Sequence, residues 1–175
     1  MTLAGTRRLA LIAGIVLATV PAFACSDGST DGAADGVTQV QIADSDGGAT
    51  KLSDLAGTPL VVNMWATWCK PCVKEMPDFD SVAASTEGVR IVGVNVGDEP
   101  ADAAAFAAGL GVTYEQYTDA DGALSDAFEV SGLPSTAFIA TDGSVIEVVQ
   151  GALSAESLRA KIAEHFPDAV LEDES

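Results

Sequence analysis

Cys69 and Cys72, within Trp68-Cys69-Lys70-Pro71-Cys72, are two thiols three positions apart. On a helix that spacing places them at neighbouring positions of one face, so a short-loop disulfide can close and reopen without refolding the chain. The pair follows the apolar run Leu60-Val61-Val62-Asn63-Met64-Trp65, which reads as a buried strand, and Pro71 stands where a first helical turn tolerates proline. The thiols are therefore expected at a strand-to-helix junction. There, unpaired backbone N–H groups and aligned peptide dipoles favour the thiolate, the reacting species, and Cys69 is the expected nucleophile. Lys70 reads either as a cation favouring the thiolate or as a solvated surface lysine.

Other chemistry fits such a pair less well. Zinc needs two further ligands, yet the remaining cysteine is Cys25, far upstream, and the single histidine is His165, near the end of a closing helix, so no metal site is expected. A purely structural disulfide over so short a loop would restrain little unfolded-chain entropy. All 26 acidic residues lie beyond residue 24, against six basic ones there, an excess of 20 negative charges that makes nucleic acid a poor partner. The charge reads as solubility or a saline habitat.

The positioning elements follow from pattern. Val37 to Ile42 alternates as a half-buried strand, and Ser53-Asp54-Leu55-Ala56-Gly57 reads as a short capped turn. After the Cys69 helix, in which Pro77 predicts a kink, come a buried strand over 89–96 and an alanine-rich helix over 100–110. This βαβ alternation implies parallel pairing. A short strand over 113–117 and a short helix over 123–130 follow. Thr136 to Ala140 and Ser144 to Val149 flank the hairpin signal Thr141-Asp142-Gly143, and Ser154 caps a closing helix to Phe166.

The ends read differently. Arg7 and Arg8 precede an uncharged stretch to Val20 and then Pro21-Ala22-Phe23-Ala24-Cys25, the layout of a secretory signal over 1–24, with a faint twin-arginine character. Its apolar core is too short to span a membrane. Cys25 after a small residue is the expected lipidation site, the alternative being a soluble exported protein with a spare cysteine; Ala22 stands where a lipoprotein box usually has Leu. Residues 25–36 have almost nothing to contribute to a core and read as a flexible tether. The folded domain is expected over 37–168, with an acidic, frayed tail over 169–175.

Val62-Asn63-Met64-Trp65-Ala66-Thr67-Trp68-Cys69-Lys70-Pro71-Cys72 resembles the active-site signature of thioredoxin-fold proteins, and Val130-Ser131-Gly132-Leu133-Pro134-Ser135-Thr136 resembles their distal loop. With the Asp142-Gly143 hairpin the likeness covers roughly residues 37 to 168. The chain is most similar to the TlpA-like (ResA-type) branch of extracytoplasmic thiol-disulfide oxidoreductases, several of which serve cytochrome c maturation. The resemblance implies a thioredoxin-like α/β fold, a central mixed β-sheet flanked by helices, with no cofactor.

It further implies a redox-active Cys69–Cys72 disulfide and a cis Leu133–Pro134 bond facing the sulfurs, with Leu133 offering backbone hydrogen bonds to an extended substrate. Trp68 would line the substrate groove, whereas Trp65 reads as core. Glu75 matches a glutamate that handles the resolving thiol's proton; the alternative is an exposed early-helix Glu complementing the dipole. Asn63 departs from thioredoxins proper, which carry a buried aspartate there. Expected partners are protein thiols and disulfides and a membrane redox protein, and the expected place is the outer face of the cell membrane. Reduction is the expected direction, with an exported oxidant as the alternative. A thiol peroxidase is disfavoured because Ala66 stands where such enzymes carry Thr or Ser. A non-catalytic metal-holding module is the last alternative.

Overall fold

The computed structural model describes residues 37–55 and 57–172. The signal, the tether and Cys25 lie outside the described residues. The chain forms β1 (Gln41–Asp44), β2 (Ala49–Lys51), a 3-10 turn (Leu52–Leu55) and β3 (Leu60–Trp65), then α1 (Lys70–Ala84), β4 (Thr86–Glu87) and β5 (Arg90–Val96). It continues with α2 (Pro100–Gly109), β6 (Glu115–Asp119), α3 (Ala123–Ala127), β7 (Ser135–Ile139), β8 (Val145–Gln150), α4 (Ala155–His165) and β9 (Val170–Leu171). A seven-stranded sheet has the order β2-β1-β6-β5-β3-β7-β8, and β4 pairs with β9 apart from it.

β3 is buried at every position because it lies between two strands and under helices, which is why its sequence is continuously apolar rather than alternating. It pairs parallel with β5 and antiparallel with β7, so the sheet is mixed. One face packs Val61, Phe79, Val82, Phe138, Leu158 and Ile162 beneath α1 and α4. The other packs Leu60, Val62, Met64, Leu124 and Phe128 beneath α3 and the 3-10 turn. A third cluster, Trp65, Ala66, Cys69, Cys72, Met76, Ala103 and Ala107, joins α1 to α2 at the end of β3.

Two sequence expectations shift. The first strand begins at Gln41 rather than Val37, because Val37 and Val40 turn into the core while the Val40 carbonyl accepts from the Leu52 amide. Pro77, where a kink is expected, lies inside α1, which continues past it with Pro77 exposed on the solvent side. The folded chain also extends past residue 168. β9 pairs Val170 with Glu87 and Leu171 with Thr86, the Glu172 amide donates to the Ser85 carbonyl, and Arg159 donates to the Glu172 carbonyl.

The hairpin between β7 and β8 turns at Gly143, where φ is +86° and an added Cβ would come within 2.9 Å of Thr38 Cγ2. Because Ile139 is opposite Leu60 and Ser135 opposite Met64, this hairpin lies at the far end of the sheet from the C-terminus of β3. The described chain therefore enters at the pole opposite the two cysteines.

Candidate active site

Cys69 is the N-cap of α1, its backbone still extended and its sulfur accepting from the Cys72 amide at 3.3 Å. A cap position ordinarily holds an oxygen side chain that satisfies an orphan helix N–H; here a sulfur does so, which is the electrostatic setting a thiolate favours. Cys69 and Cys72 are joined as a disulfide with their Cα atoms 5.3 Å apart. Cys69 keeps 4% exposure and Cys72 none, so an incoming thiolate can approach only the first sulfur. Trp68, immediately before it, is 70% exposed, a large aromatic surface that packing does not require. Lys70 and Pro71 are exposed beside it. Trp65 is fully buried, its indole donating to Gln116 Oε1 at 3.0 Å, as core packing predicts.

The loop leading into Cys69 is held from the next crossover. Asp98 accepts from the Thr67 amide at 3.0 Å, the Thr67 hydroxyl at 3.1 Å and Asn95 Nδ2 at 2.8 Å. Burial opposes its charged form, but these three donors outweigh it and hold the carboxyl below the usual aspartate range. Sequence reasoning did not find this clamp; a loop aspartate gives no sign of which amide it will face.

Glu75 lies three residues beyond Cys72 on α1 and is buried, which settles the question of an exposed dipole-complementing residue against that reading. Its Oε1 accepts from Asn63 Nδ2 at 2.9 Å and its Oε2 from the Leu153 amide at 2.9 Å. Desolvation pushes its carboxyl up to about 7, with the Asp78 charge adding to the rise and the two hydrogen bonds opposing it. A group half-protonated near neutrality can both take and return a proton. It lines a cavity of about 340 Å³ with Pro71, Lys74, Asp78 and Leu153, which gives that proton a way to solvent. Asn63 in turn accepts from the Tyr114 hydroxyl at 3.0 Å. An asparagine amid apolar neighbours signals a buried polar network, yet nothing in the sequence names Tyr114 or Leu153 as its members.

The Leu133–Pro134 bond is cis. Ser135 begins β7 opposite Met64, so this bond stands at the end of the sheet where β3 delivers the cysteine loop, and Leu133 packs against the cluster containing both sulfurs. His165 ends α4 at the other pole, against Glu147 and Phe138, and is not brought to the cysteines. Among the described residues no group of three or more His, Cys, Asp or Glu could hold a metal ion.

A mixed sheet that delivers a capped, disulfide-bonded cysteine pair to one edge and a cis-proline loop to the same edge places the molecule among the thioredoxin-like dithiol-disulfide exchangers. The AhpC/TSA family matches residues 33–148. The thiol-disulfide oxidoreductases ResA of Bacillus subtilis and Geobacillus thermodenitrificans are 38% and 32% identical over 63% and 67% of this chain, spanning 63% and 69% of those proteins. A secreted Mycobacterium tuberculosis disulfide oxidoreductase homologous to E. coli DsbE superposes with a TM-score of 0.66 at 26% identity, over 74% of this chain and 98% of that one. The chain belongs to the AhpC/TSA family, and within it is a thiol-disulfide oxidoreductase of the ResA type.

Proposed function

We propose that the protein is an exported reductant of protein disulfides, held by a lipid on Cys25 to the outer face of the cell membrane. The observation that carries the direction of attack is the asymmetry of the pair: Cys69 is at the helix cap and touches solvent, while Cys72 is sealed beneath it. In the reduced protein the Cys69 thiolate attacks one sulfur of a substrate disulfide, forming a mixed disulfide and releasing one substrate thiolate. Cys72 passes its proton to Glu75 and its thiolate attacks Cys69 Sγ. The intramolecular disulfide forms, the second substrate thiolate leaves, and two electrons have moved from the dithiol to the substrate. A membrane dithiol donor then returns the pair to the reduced form by the reverse exchange. Trp68 and the Leu133 backbone beside Pro134 hold the extended substrate segment, favouring backbone over side-chain recognition.

Export rests on the Arg7-Arg8 leader and the tether that follows it, and on a secreted relative of similar fold. Oxidised apocytochrome c, whose haem-binding cysteines must be reduced before ligation, is a substrate of the right chemistry. Equilibration of the purified domain with glutathione buffers tests the direction. A reductant poises well below the glutathione couple, and a potential near about −120 mV, that of a strong oxidant, overturns the reading. Cys72→Ser traps substrates on Cys69 for identification.

A further inference from the structure

Among the described residues Glu75 has one side-chain donor, Asn63 Nδ2, and that donor has two ends. An amide presents either its N–H₂ or its carbonyl to a neighbour, and the two orientations select opposite protonation states of a carboxyl. The N–H₂ end bonds a carboxylate, whereas the carbonyl end bonds a protonated carboxylic acid. What decides between them is the partner at the amide's far side. Here that partner is the Tyr114 hydroxyl, which donates to Asn63 Oδ1 at 3.0 Å and so leaves Nδ2 facing Glu75.

The hydroxyl across the strand pair makes no such bond. Thr136 is directly opposite Asn63 across β3 and β7, and its buried hydroxyl has no hydrogen-bond partner among the described residues. Tyr114 itself is buried and held from two sides. Its ring is against Phe79, centroids 6.4 Å apart, and its amide donates to Asp80 Oδ1 at 3.0 Å. Burial raises its phenol well above the ordinary range, so it remains a donor wherever the protein is folded. The groups facing Glu75 are otherwise Asp78 on α1, the Leu153 amide ahead of α4, and Lys74 across the cavity.

We propose that Tyr114 is a positioning residue that fixes the polarity of the Asn63 amide, so that its N–H₂ end faces Glu75 and favours the carboxylate over the protonated acid. The assignment rests on the reading of Glu75 given above for its consequence in exchange, but not for its effect on Glu75 itself. With the hydroxyl gone, Asn63 Oδ1 loses its donor and the amide gains by turning its carbonyl to a protonated Glu75. The carboxyl then releases its proton only at higher pH.

The test follows the Glu75 side-chain carbon by ¹³C NMR titration in oxidised wild-type protein and in Tyr114→Phe, which keeps the ring against Phe79. The midpoint should rise by about one pH unit, a tenfold change in proton affinity, because a carboxylate donor has been lost. Asn63→Ala, lacking either end of the amide, should also raise it, though less far, because no carbonyl remains to bond the protonated acid. In parallel, the pH profile of disulfide exchange should shift upward with the midpoint in Tyr114→Phe, and Glu75→Gln should abolish that shift in the double variant. An unmoved midpoint in folded Tyr114→Phe overturns the lock. A moved midpoint with an unmoved exchange profile upholds the lock and instead removes Glu75 from catalysis. If Tyr114→Phe fails to fold, the lock is judged on Asn63→Ala, where an unmoved midpoint overturns it equally.

Discussion

Glu75 holds a proton in the folded chain up to about pH 7 that the unfolded chain gives up near 4.5. Between those values the native state binds more protons than the unfolded one, so this residue's contribution to stability falls as pH rises through that window. Replacing it by Gln removes the desolvation cost. Glu75→Gln should therefore gain stability above pH 7, on the order of 2 kcal/mol over any change at pH 5, checked by urea denaturation at both values. The same substitution should slow exchange and flatten its dependence on pH around neutrality. On the proposed role of Glu75, cost in the fold and use in the site are one property of one side chain. Asn63 shows how far the sequence could be read at this scale: its departure from the thioredoxin pattern was visible, whereas its bonds to Glu75 and Tyr114 depend on residues 12 and 51 positions away.

The elements that carry the pair were legible where pattern and punctuation agree. β3, the α1 start at Pro71, the Asp142-Gly143 hairpin and the Ser154 cap all fall where local chemistry places them. Misplaced boundaries arise where tertiary contacts decide. Val37 and Val40 alternate like a strand but are drawn into the core, and Val170 and Leu171 are polar-flanked yet find β4. β7 offers a test of packing at this level. Thr136 keeps a buried hydroxyl with no partner among the described residues, on a strand that otherwise reads Ser-Thr-Ala-Phe-Ile. Thr136→Val, nearly isosteric and equally β-branched, should stabilise the protein by about 1 kcal/mol in denaturant unfolding, because a desolvated polar group is replaced by an apolar one.

At the scale of the whole molecule, the formal charge of −18 governs encounter more than fold. Disulfide peptides of basic character should be reduced faster than acidic ones of equal length at low salt, and the two rates should converge as ionic strength approaches about 1 M, where screening acts within about 3 Å. Stopped-flow exchange with matched peptides checks this, and equal rates at low salt would show that the field at the dithiol is locally neutral. Topology meanwhile gathers Cys69, Trp68 and Pro134 from segments more than 60 residues apart, as Cys69 and Pro134 are, onto one rim. That convergence was legible through family resemblance, not through periodicity.

Thr38 rests against the Gly143 turn, at the blunt end of the molecule. The described chain therefore starts on the side turned away from the dithiol, so the rim carrying Cys69 and Pro134 faces away from its point of entry, like the working end of a tool seen from its handle.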